Sequence, residues 1–361
     1  MIPPRTFRAP GRVNLIGEHT DYNLGFVLPI ALDLATYIET TPASDHRLHA
    51  RSQHRDEEYA WDPTAVSEAQ PAQNWSDYVA GVARELALLG FSIPALNLKI
   101  RSDVPEGGGL SSSAALEVAT ALALLQGRNL DRLEIARLCQ RAEMNFVGLP
   151  CGIMDQYVSV FGEHDSALWI DCRSLTAETV RLPGGLAIIA VNSMVRHALG
   201  DSAYRTRVAE CAEAARILGV ASLRDATDVP RGTSGPLRRA RHIITENARV
   251  VGFIEAARAG DPAEMGRLFT ASHASMRDDY EITCAEIDFL ADQACRIPGC
   301  YGARMTGGGF GGCTVNLVEE SAAAVFEAAI AAAYASVFNI QPRIYRCRPG
   351  NGASEVFLKQ A

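Results

Sequence analysis

The spacing of hydrophobic and polar positions predicts a chain in which strands and helices alternate. Apolar and polar residues alternate around Leu96, Leu98 and Ile100, which is typical of a half-buried strand. Elsewhere, apolar residues recur every three or four positions, as they do on one face of a helix. The predicted strands cover residues 13–16, 27–38, 95–102, 186–192 and 314–318. The predicted helices cover residues 74–89, 112–126, 133–146, 202–218, 236–259, 285–297 and 322–337.

This pattern indicates a mixed α/β protein with more than one domain. At 361 residues the chain exceeds the size at which a single hydrophobic core usually stops growing. Residues 226–235 are rich in Pro, Gly and Thr and indicate a loop. The domain boundary is placed near residues 184–192. We therefore predict an N-terminal domain of residues 1–188 and a C-terminal domain of residues 189–361.

Composition narrows the class of protein. Charged residues make up 21% of the chain and hydrophobic residues 48%, as in a globular enzyme. The formal net charge of -8 argues against nucleic acid as a partner, since a basic face is then expected. It does not exclude a small anion, because a local loop can bind phosphate whatever the global charge.

Cysteines and apolar stretches add expectations about metal sites and location. The nine cysteines include no C-x-x-C pair, so we expect no structural zinc, and Cys139 and Cys211 fall on apolar helical faces as reduced core thiols. Residues 1–5 lack a hydrophobic signal core. The apolar run 322–335 is too short for a membrane span and contains Glu327. We expect no membrane partner and a cytoplasmic location.

Residues 11–23 carry the densest candidate chemistry. Arg12, Glu18, His19 and Asp21 fall within ten residues. Glycines at positions 11 and 17 let the backbone bend on either side of an apolar run that can form a buried strand. The segment could therefore present polar groups to a small polar ligand. A solvated charge cluster is the alternative, but such a cluster would not need glycines around an apolar strand.

A Gly/Ser loop, residues 105–113, lies between a predicted strand and a predicted helix. Its glycines let backbone N–H groups approach an anion, the helix adds its positive end, and three serines supply hydroxyls. The loop is not a Walker A loop, because no Lys follows a glycine, and Ser112 replaces the third glycine of a dinucleotide fingerprint. A simple turn whose serines cap a helix is the alternative, and taken alone the loop leaves both open.

Two carboxylates follow this loop, and a second glycine-rich segment lies near the C-terminus. Glu143 and Asp155 suggest one Mg²⁺ ligand and one base, which phosphoryl transfer from ATP would use. Alternatively, Asp155 caps a helix and Glu143 is solvated. The glycine loop, residues 307–312, contains five glycines in six positions, which suggests close packing against a ligand or backbone rather than a linker.

Six blocks, in order, resemble the GHMP small-molecule kinases, and the first is similar to the signature of the branch that phosphorylates galactose. The blocks are residues 12–21, 105–115, 152–156, 195–207 (with His197, Tyr204 and Arg207), 276–281 and 305–313. The resemblance covers nearly the whole chain. It implies an α/β fold of the α+β type with two GHMP kinase domains and the active site in the cleft between them.

The resemblance also implies roles for individual residues. Asp155 would accept the proton of the sugar C1 hydroxyl, or mainly orient it, and Arg12 would stabilise charge beside it. The implied sugar-binding residues are Glu18, His19, Thr20, Asp21, Gly152, Asp155 and Tyr204. The implied nucleotide-binding residues are Gly107, Gly108, Gly109, Leu110, Ser111, Ser112 and Ser113 around the phosphates and Trp75 and Tyr78 near adenine. Ser113 and Glu143 would hold Mg²⁺.

The implied activity is transfer of the γ-phosphoryl group of ATP to the C1 hydroxyl of α-D-galactose by a monomeric enzyme. A kinase for N-acetylgalactosamine or another sugar, and a non-catalytic sensor that binds galactose and ATP, are the alternatives. The intact serines at 111–113 and Asp155 favour an enzyme over a sensor. An NAD-dependent dehydrogenase is disfavoured by the missing third glycine.

Overall fold

The strands and helices follow the predicted alternation and assemble into three sheets. The structure, a computed structural model, describes residues 4–196 and 200–356. The strands are β1 (Arg5–Asn14), β2 (Phe26–Val27), β3 (Pro29–Pro42), β4 (Leu48–Ser52), β5 (Glu58–Trp61), β6 (Leu96–Ser102), β7 (Ser166–Asp171), β8 (Thr176–Arg181), β9 (Leu186–Arg196), β10 (Cys300–Thr306), β11 (Gly311–Glu319), β12 (Arg343–Cys347) and β13 (Ser354–Val356). The helices are α1 (Ser76–Leu88), α2 (Ser112–Leu125), α3 (Arg132–Arg141), α4 (Met154–Phe161), α5 (Gly200–Leu218), α6 (Gly235–Ala259), α7 (Pro262–Ser275), α8 (Ala285–Ala294) and α9 (Ala323–Phe338).

The largest sheet has six strands in the order β13-β1-β3-β6-β4-β5. Every second residue of β6 is buried and the others face solvent, as the alternating sequence predicts. Helices α2 and α4 pack directly on β1 and β3, and α1 and α3 pack against these helices. This packing brings the N-terminus of α2, just after the Gly/Ser loop, to the end of β1.

The C-terminal half is built on a four-stranded antiparallel sheet in the order β10-β11-β9-β12. Helices α7 and α8 pack on β10, and α8 also contacts α9. Gly266 of α7 faces Tyr301 and Gly302 of β10 so closely that a Cβ at Gly266 would overlap the Tyr301 carbonyl. Glycine at this position therefore sets how near the helix lies to the sheet.

The two halves share one continuous hydrophobic core. Val13, Leu15 and Leu28 from the N-terminal half pack in one cluster with Phe253 of α6 and Phe269 of α7. The three-stranded sheet β2-β7-β8 closes this region from the side. The end of β1 is consequently held by both halves, which places residues 14–21 at their junction.

Several predicted boundaries shift. The predicted helix over 133–146 is wrong as a single α-helix, because α3 ends at Arg141 and a π-helical turn, Ala142–Val147, carries the chain to Gly148 at φ 82°. A boundary at residue 188 falls inside β9, and β13 returns to the N-terminal sheet. The division into residues 1–188 and 189–361 stays a prediction. The sheets favour a boundary before Leu186 and count the last strand with the first domain.

Two expectations concern individual segments. Cys139 and Cys211 are buried core thiols, as predicted, and all nine cysteines are free. The apolar run near residue 322 is longer than expected. Within the described residues one 19-residue helical stretch, Glu320–Phe338, is long and apolar enough by length and composition to cross a membrane. Phe326, Ile330 and Tyr334 form its buried face against the four-stranded sheet.

Candidate active site

A cavity of about 350 Å³ opens where the two halves meet. Its walls come from the turn after β1, the Gly/Ser loop, residues 149–155 at the start of α4, Tyr204 of α5, and the glycine loop. Tyr78 and Glu143 also reach it. All five of these segments were singled out in the sequence, and the fold brings them to one place although they are up to 300 residues apart.

The centre of the cavity is an ion pair between Arg12 and Asp155. The Arg12 Nε and Nη2 groups donate to Asp155 Oδ1 and Oδ2, and both donor–acceptor distances are 2.8 Å. This is the bidentate geometry of a strong guanidinium–carboxylate pair. Ser111 Oγ also donates to Asp155 Oδ2. Arg12 Nη1 donates to the Gly109 carbonyl over 2.5 Å, so the same guanidinium fixes the Gly/Ser loop. Arg12 is buried whereas a quarter of the Asp155 side chain is exposed to the cavity.

Asp21 and Gly152 form one wall beside this pair. A Cβ at Gly152 would overlap the Asp21 carboxylate, so only glycine lets Asp21 lie flat against the backbone there. Burial, and after it the neighbouring Asp155 charge, raises the pKa of Asp21 to about 7. Asp21 thus keeps a proton to near neutral pH and can both donate and accept hydrogen bonds in the cavity.

An aromatic and imidazole cluster forms the next wall. His19 adopts a left-handed backbone conformation (φ 61°) that turns its ring towards Tyr204, with ring centroids 5.2 Å apart. Burial lowers the pKa of His19 to about 3, so the ring is neutral at pH 7. Its Nδ1 lies 2.8 Å from the Tyr22 hydroxyl, which lies 2.7 Å from the Tyr280 hydroxyl. These buried contacts fix the ring orientation.

Glu18 reaches the cavity from a fully enclosed position. Its Oε1 accepts the Gly307 N–H over 2.7 Å, and its Oε2 accepts from Asn14 Nδ2. The carboxylate therefore ties the turn after β1 to the glycine loop. The glycine loop in turn packs on Ile282, where a Cβ at Gly309 would come within 2.6 Å of the Ile282 carbonyl oxygen. This contact explains why glycine stands at position 309.

The Gly/Ser loop has the backbone expected of an anion cradle. Gly107 (φ 69°), Gly109 (φ 71°) and Ser111 (φ 58°) all adopt left-handed conformations, which occur in loops that bind anions through backbone N–H groups. Helix α2 begins at Ser112 directly behind them, so its free N–H groups and positive end face the same space. Gly107, Gly109 and the serines 111–113 line the cavity.

Glu143 lies beside this cradle, buried rather than solvated. Burial, and after it Asp155, raises the pKa of Glu143. Gln156 Nε2 donates to Glu143 Oε2 over 2.6 Å and to Glu117 Oε2 over 3.0 Å. Within the described residues Glu143 has no Arg or Lys partner. A buried carboxylate without a counter-charge is costly, and a bound cation would relieve that cost. The alternative of a solvated Glu143 is wrong.

Four predicted site residues, Thr20, Trp75, Gly108 and Leu110, do not line the cavity. The Thr20 hydroxyl donates to the Gly17 and Phe26 carbonyls and does not line the cavity, so its assignment as a sugar contact stays a prediction. Trp75 packs edge-on against Tyr59 and against the hydrophobic cluster under the six-stranded sheet, so its assignment near adenine stays a prediction. Gly108 and Leu110 contribute backbone only, and the buried Leu110 carbonyl accepts the Arg12 N–H over 3.0 Å. His197 lies outside the described residues.

Sequence reasoning missed the buried polar residues behind the cavity. They are Asn14, Glu117, Gln156, His242, Glu246, Ser272 and Arg304. Each occupies a buried position in a helix or strand, so its sequence signal was a polar residue at a core position. Gln156, for example, directly follows Asp155 on the inward face of α4. A polar side chain at an inward position needs hydrogen-bond partners, and this requirement could have identified Gln156 as a candidate site residue.

Comparisons with known proteins agree with this arrangement. The family model of the galactokinase galactose-binding signature matches residues 2–42, and the models of the GHMP kinase N-terminal and C-terminal domains match residues 77–163 and 253–336. A galactokinase from Roseiflexus sp. is 44% identical over 97% of this chain and 92% of its own length. One from Chloroflexus aggregans is 45% identical over 99% of this chain and 95% of its own.

The chain belongs to the galactokinase family. The crystal structure of Lactococcus lactis galactokinase complexed with galactose superimposes with a TM-score of 0.92 at 35% identity, covering 98% of this chain and 95% of the other. The Methanococcus jannaschii mevalonate kinase superimposes with a TM-score of 0.71 at 19% identity, which shows a shared fold alone. The predicted fold class, with two GHMP kinase domains, is confirmed. As a galactokinase family member, the protein is an ATP-dependent sugar kinase.

Proposed function

We propose that this protein transfers the γ-phosphoryl group of ATP to the C1 hydroxyl of α-D-galactose, giving galactose 1-phosphate and ADP. The observation that carries the proposal is the Arg12–Asp155 pair, which stands between the wall formed by Asp21 and His19 and the Gly/Ser loop. A hydroxyl bound on one side would face a phosphoryl group bound on the other. Phosphoryl transfer depends mainly on such positioning and on charge stabilisation.

The sugar would bind against Asp21, His19, Glu18, Gly152 and Tyr204. Asp21 can donate and accept, whereas neutral His19 offers the sugar one ring nitrogen, Nε2, because Nδ1 contacts the Tyr22 hydroxyl. A sugar epimer would leave some of these enclosed polar groups unpaired. Unpaired buried groups are the strongest source of discrimination that a site of this kind has.

Asp155 would accept or orient the C1 hydroxyl proton. One of its oxygens, Oδ1, receives a single hydrogen bond, from Arg12 Nε, and retains a lone pair for the sugar. Arg12 keeps its positive charge beside the carboxylate and adjacent to the Gly/Ser loop, where charge accumulates on the transferred group. The guanidinium thereby links the acceptor side and the donor side of the reaction.

The nucleotide phosphates would lie over the backbone N–H groups of residues 107–113 and the N-terminus of α2. Tyr78 is the residue proposed near adenine. The Ser113 hydroxyl and the Glu143 carboxylate, both hard oxygen donors, fit Mg²⁺, which commonly takes one or two protein ligands and completes its shell with phosphate and water. Bound Mg²⁺ would offset the negative charge of the phosphates. Gln156 holds Glu143 in place for this role.

The test is ADP release from ATP across a panel of galactose, glucose, N-acetylgalactosamine, arabinose and mevalonate, with ³¹P NMR of the product. Galactose-selective turnover with phosphate at C1 supports the proposal. Preferred turnover of another sugar retains the kinase chemistry and overturns the substrate assignment. Galactose binding without turnover would instead identify a sensor.

The Asp155→Asn variant tests the assigned base. Its kcat should fall by about 10³-fold, because the proton acceptor is lost while the hydrogen-bonding shape is nearly retained. Galactose binding, measured by calorimetry, should change little. Asp33→Asn, an exposed change on β3, is the matched control and should leave kcat unchanged. Retained turnover in Asp155→Asn would remove Asp155 from this role.

We further propose that the enzyme is a cytoplasmic monomer. Light scattering of the purified protein can check its oligomeric state.

A further inference from the structure

A fully enclosed guanidinium lies directly behind the sugar wall. Arg304, on β10, has no solvent-exposed surface. Its Nη1 donates to two backbone carbonyls, that of Leu15 at a distance of 2.7 Å and that of Asn14 at 3.3 Å. Arg304 therefore holds the backbone at the end of β1. Its Nη2 lies 3.6 Å from Glu18 Oε1 and 3.8 Å from Glu246 Oε1. One buried cation therefore faces two buried carboxylates.

Glu246, on α6, completes this cluster. Its Oε1 accepts hydrogen bonds from the Gly17 N–H at 3.0 Å and from the Ser272 hydroxyl at 2.7 Å. Its Oε2 accepts a hydrogen bond from Arg249 Nε at 2.6 Å. Burial alone would raise the pKa of Glu246, but the charges of Arg249 and Arg304 outweigh it and hold that pKa below its usual range. The group thus contains two arginines and two glutamates, of which Arg304, Glu18 and Glu246 are buried and Arg249 is partly exposed.

The cluster makes hydrogen bonds to the backbone of the segment that contains the proposed sugar-binding residues. Besides Arg304 and Glu246, His242 Nε2 donates to the Glu18 carbonyl over 3.1 Å, and Thr306 Oγ1 donates to the Asn14 carbonyl over 3.0 Å. All four groups come from β10 and α6, in the C-terminal half. Apart from Thr306, none of them lines the cavity.

We propose that Arg304 and Glu246 are positioning residues for sugar binding, which fix the Glu18 carboxylate and the backbone of residues 14–18 in the geometry that receives galactose. This inference rests on the proposed function. Without Arg304, Glu18 and Glu246 would share the enclosed space with Arg249 alone, and Arg249 contacts Glu246 rather than Glu18. Glu18 would then be a buried carboxylate without its compensating cation and would move out of its present position.

The decisive variant is Arg304→Met, which keeps the length of the side chain and removes its charge. The KM for galactose should rise about 10-fold or more, with the KM for ATP within about twofold of the parent enzyme. The matched control is Arg239→Met. Arg239 is an equally enclosed arginine of α6 that pairs with Glu210 and Glu281 instead. Its loss should lower stability and leave the galactose KM unchanged.

A second change separates charge balance from a purely structural role. Adding Glu246→Gln to Arg304→Met removes one of the two neighbouring negative charges, so that Glu18 and Arg249 again balance, and it should recover at least part of the galactose KM. A purely structural role predicts that the double variant is worse than either single one. If Arg304→Met does not fold, Arg304→Lys replaces it. Lysine retains the charge but not the two-pronged contact with the backbone, and the galactose KM should rise about threefold to tenfold.

The outcomes distinguish the two levels of inference. If the parent enzyme does not phosphorylate galactose, the proposed function itself fails. If it does, but Arg304→Met and Arg239→Met change the galactose KM equally, or the double variant shows no recovery, the positioning role of Arg304 and Glu246 is overturned.

Discussion

Replacing Asp21 by asparagine should stabilise the empty protein at neutral and alkaline pH while removing galactose binding. Asp21 lies against Gly152 and near Asp155, and burial together with that neighbouring charge raises its pKa to about 7, against 3.8 for the free group. The folded protein therefore binds this proton more tightly than the unfolded chain does. The contribution to stability is complete below about pH 4 and is lost as the pH rises through 7.

The size of the effect follows from the shift. One pKa unit corresponds to about 1.4 kcal/mol, so a shift of about three units sets a ceiling of roughly 4 kcal/mol on the cost of ionising Asp21 in the fold. Asp21 is only partly buried, and water in the cavity screens its charge. We therefore expect about 1–2 kcal/mol of this cost to develop between pH 5 and pH 8. Asparagine cannot ionise and avoids it.

The assay is urea unfolding of the parent protein and Asp21→Asn at pH 5 and pH 8. The free energy of unfolding of the variant minus that of the parent should be about 1–2 kcal/mol larger at pH 8 than at pH 5, which means that the variant is stabilised relative to the parent. Asp292→Asn, an exposed change on α8, should give the same difference at both pH values. If Asp21→Asn gains nothing between pH 5 and pH 8, Asp21 is not held protonated and the electrostatic reading of this wall is wrong.

Three further predictions concern single positions. Gly152→Ala should fold normally but raise the galactose KM by about 10-fold or more, because the new methyl group forces Asp21 to rotate away; an unchanged KM in steady-state kinetics would count against the Asp21 contact. Glu143→Gln should raise the Mg²⁺ concentration needed for half-maximal activity by about 10-fold or more, and an unaltered Mg²⁺ titration would argue against a ligand at this position. Gly266→Ala should lower the free energy of unfolding by about 3 kcal/mol, since overlap with the Tyr301 carbonyl exceeds the gain of about 1 kcal/mol from helix propensity. Equal stability of that variant in urea would show that α7 can move away from β10 at little cost.

Local patterns were enough to predict the long regular elements. The run of Ala and Leu in residues 112–125 has no competing turn residue, and α2 ends at Leu125, where Gln126 turns left-handed before a glycine. Helix α7 was missed although Asp261 accepts the Glu264 N–H as an N-cap and Pro262 takes the first helical position. Gly260 ends α6 immediately before it. The sequence Gly-Asp-Pro at residues 260–262 is typical of a loop, and for this reason the beginning of a new helix was not predicted there.

The site was predictable in its residue types and less so in its geometry. Thr20 and Asp21 are neighbours in the signature, yet their side chains have different partners. The Thr20 hydroxyl donates to a backbone carbonyl, whereas the Asp21 carboxylate lines the cavity. No local rule distinguishes them. The contact between Glu18 and Gly307 spans 289 residues and depends on the packing of two sheets through one core. Such contacts follow from tertiary packing, which periodicity and spacing do not encode.

The pairing of β1 with β13 has a consequence for how the protein is synthesised. Thr6 lies opposite Val356 in the six-stranded sheet, and Arg5 forms an ion pair with Glu355. At translation rates of about 5–20 residues per second, the strand that carries Arg12 leaves the ribosome on the order of 20–70 s before its outer neighbour exists. Until then β1 is an unprotected edge whose free N–H and C=O groups can pair with another chain. The outer edge of β1 at Thr6–Arg8 is therefore open to such pairing throughout synthesis of the chain.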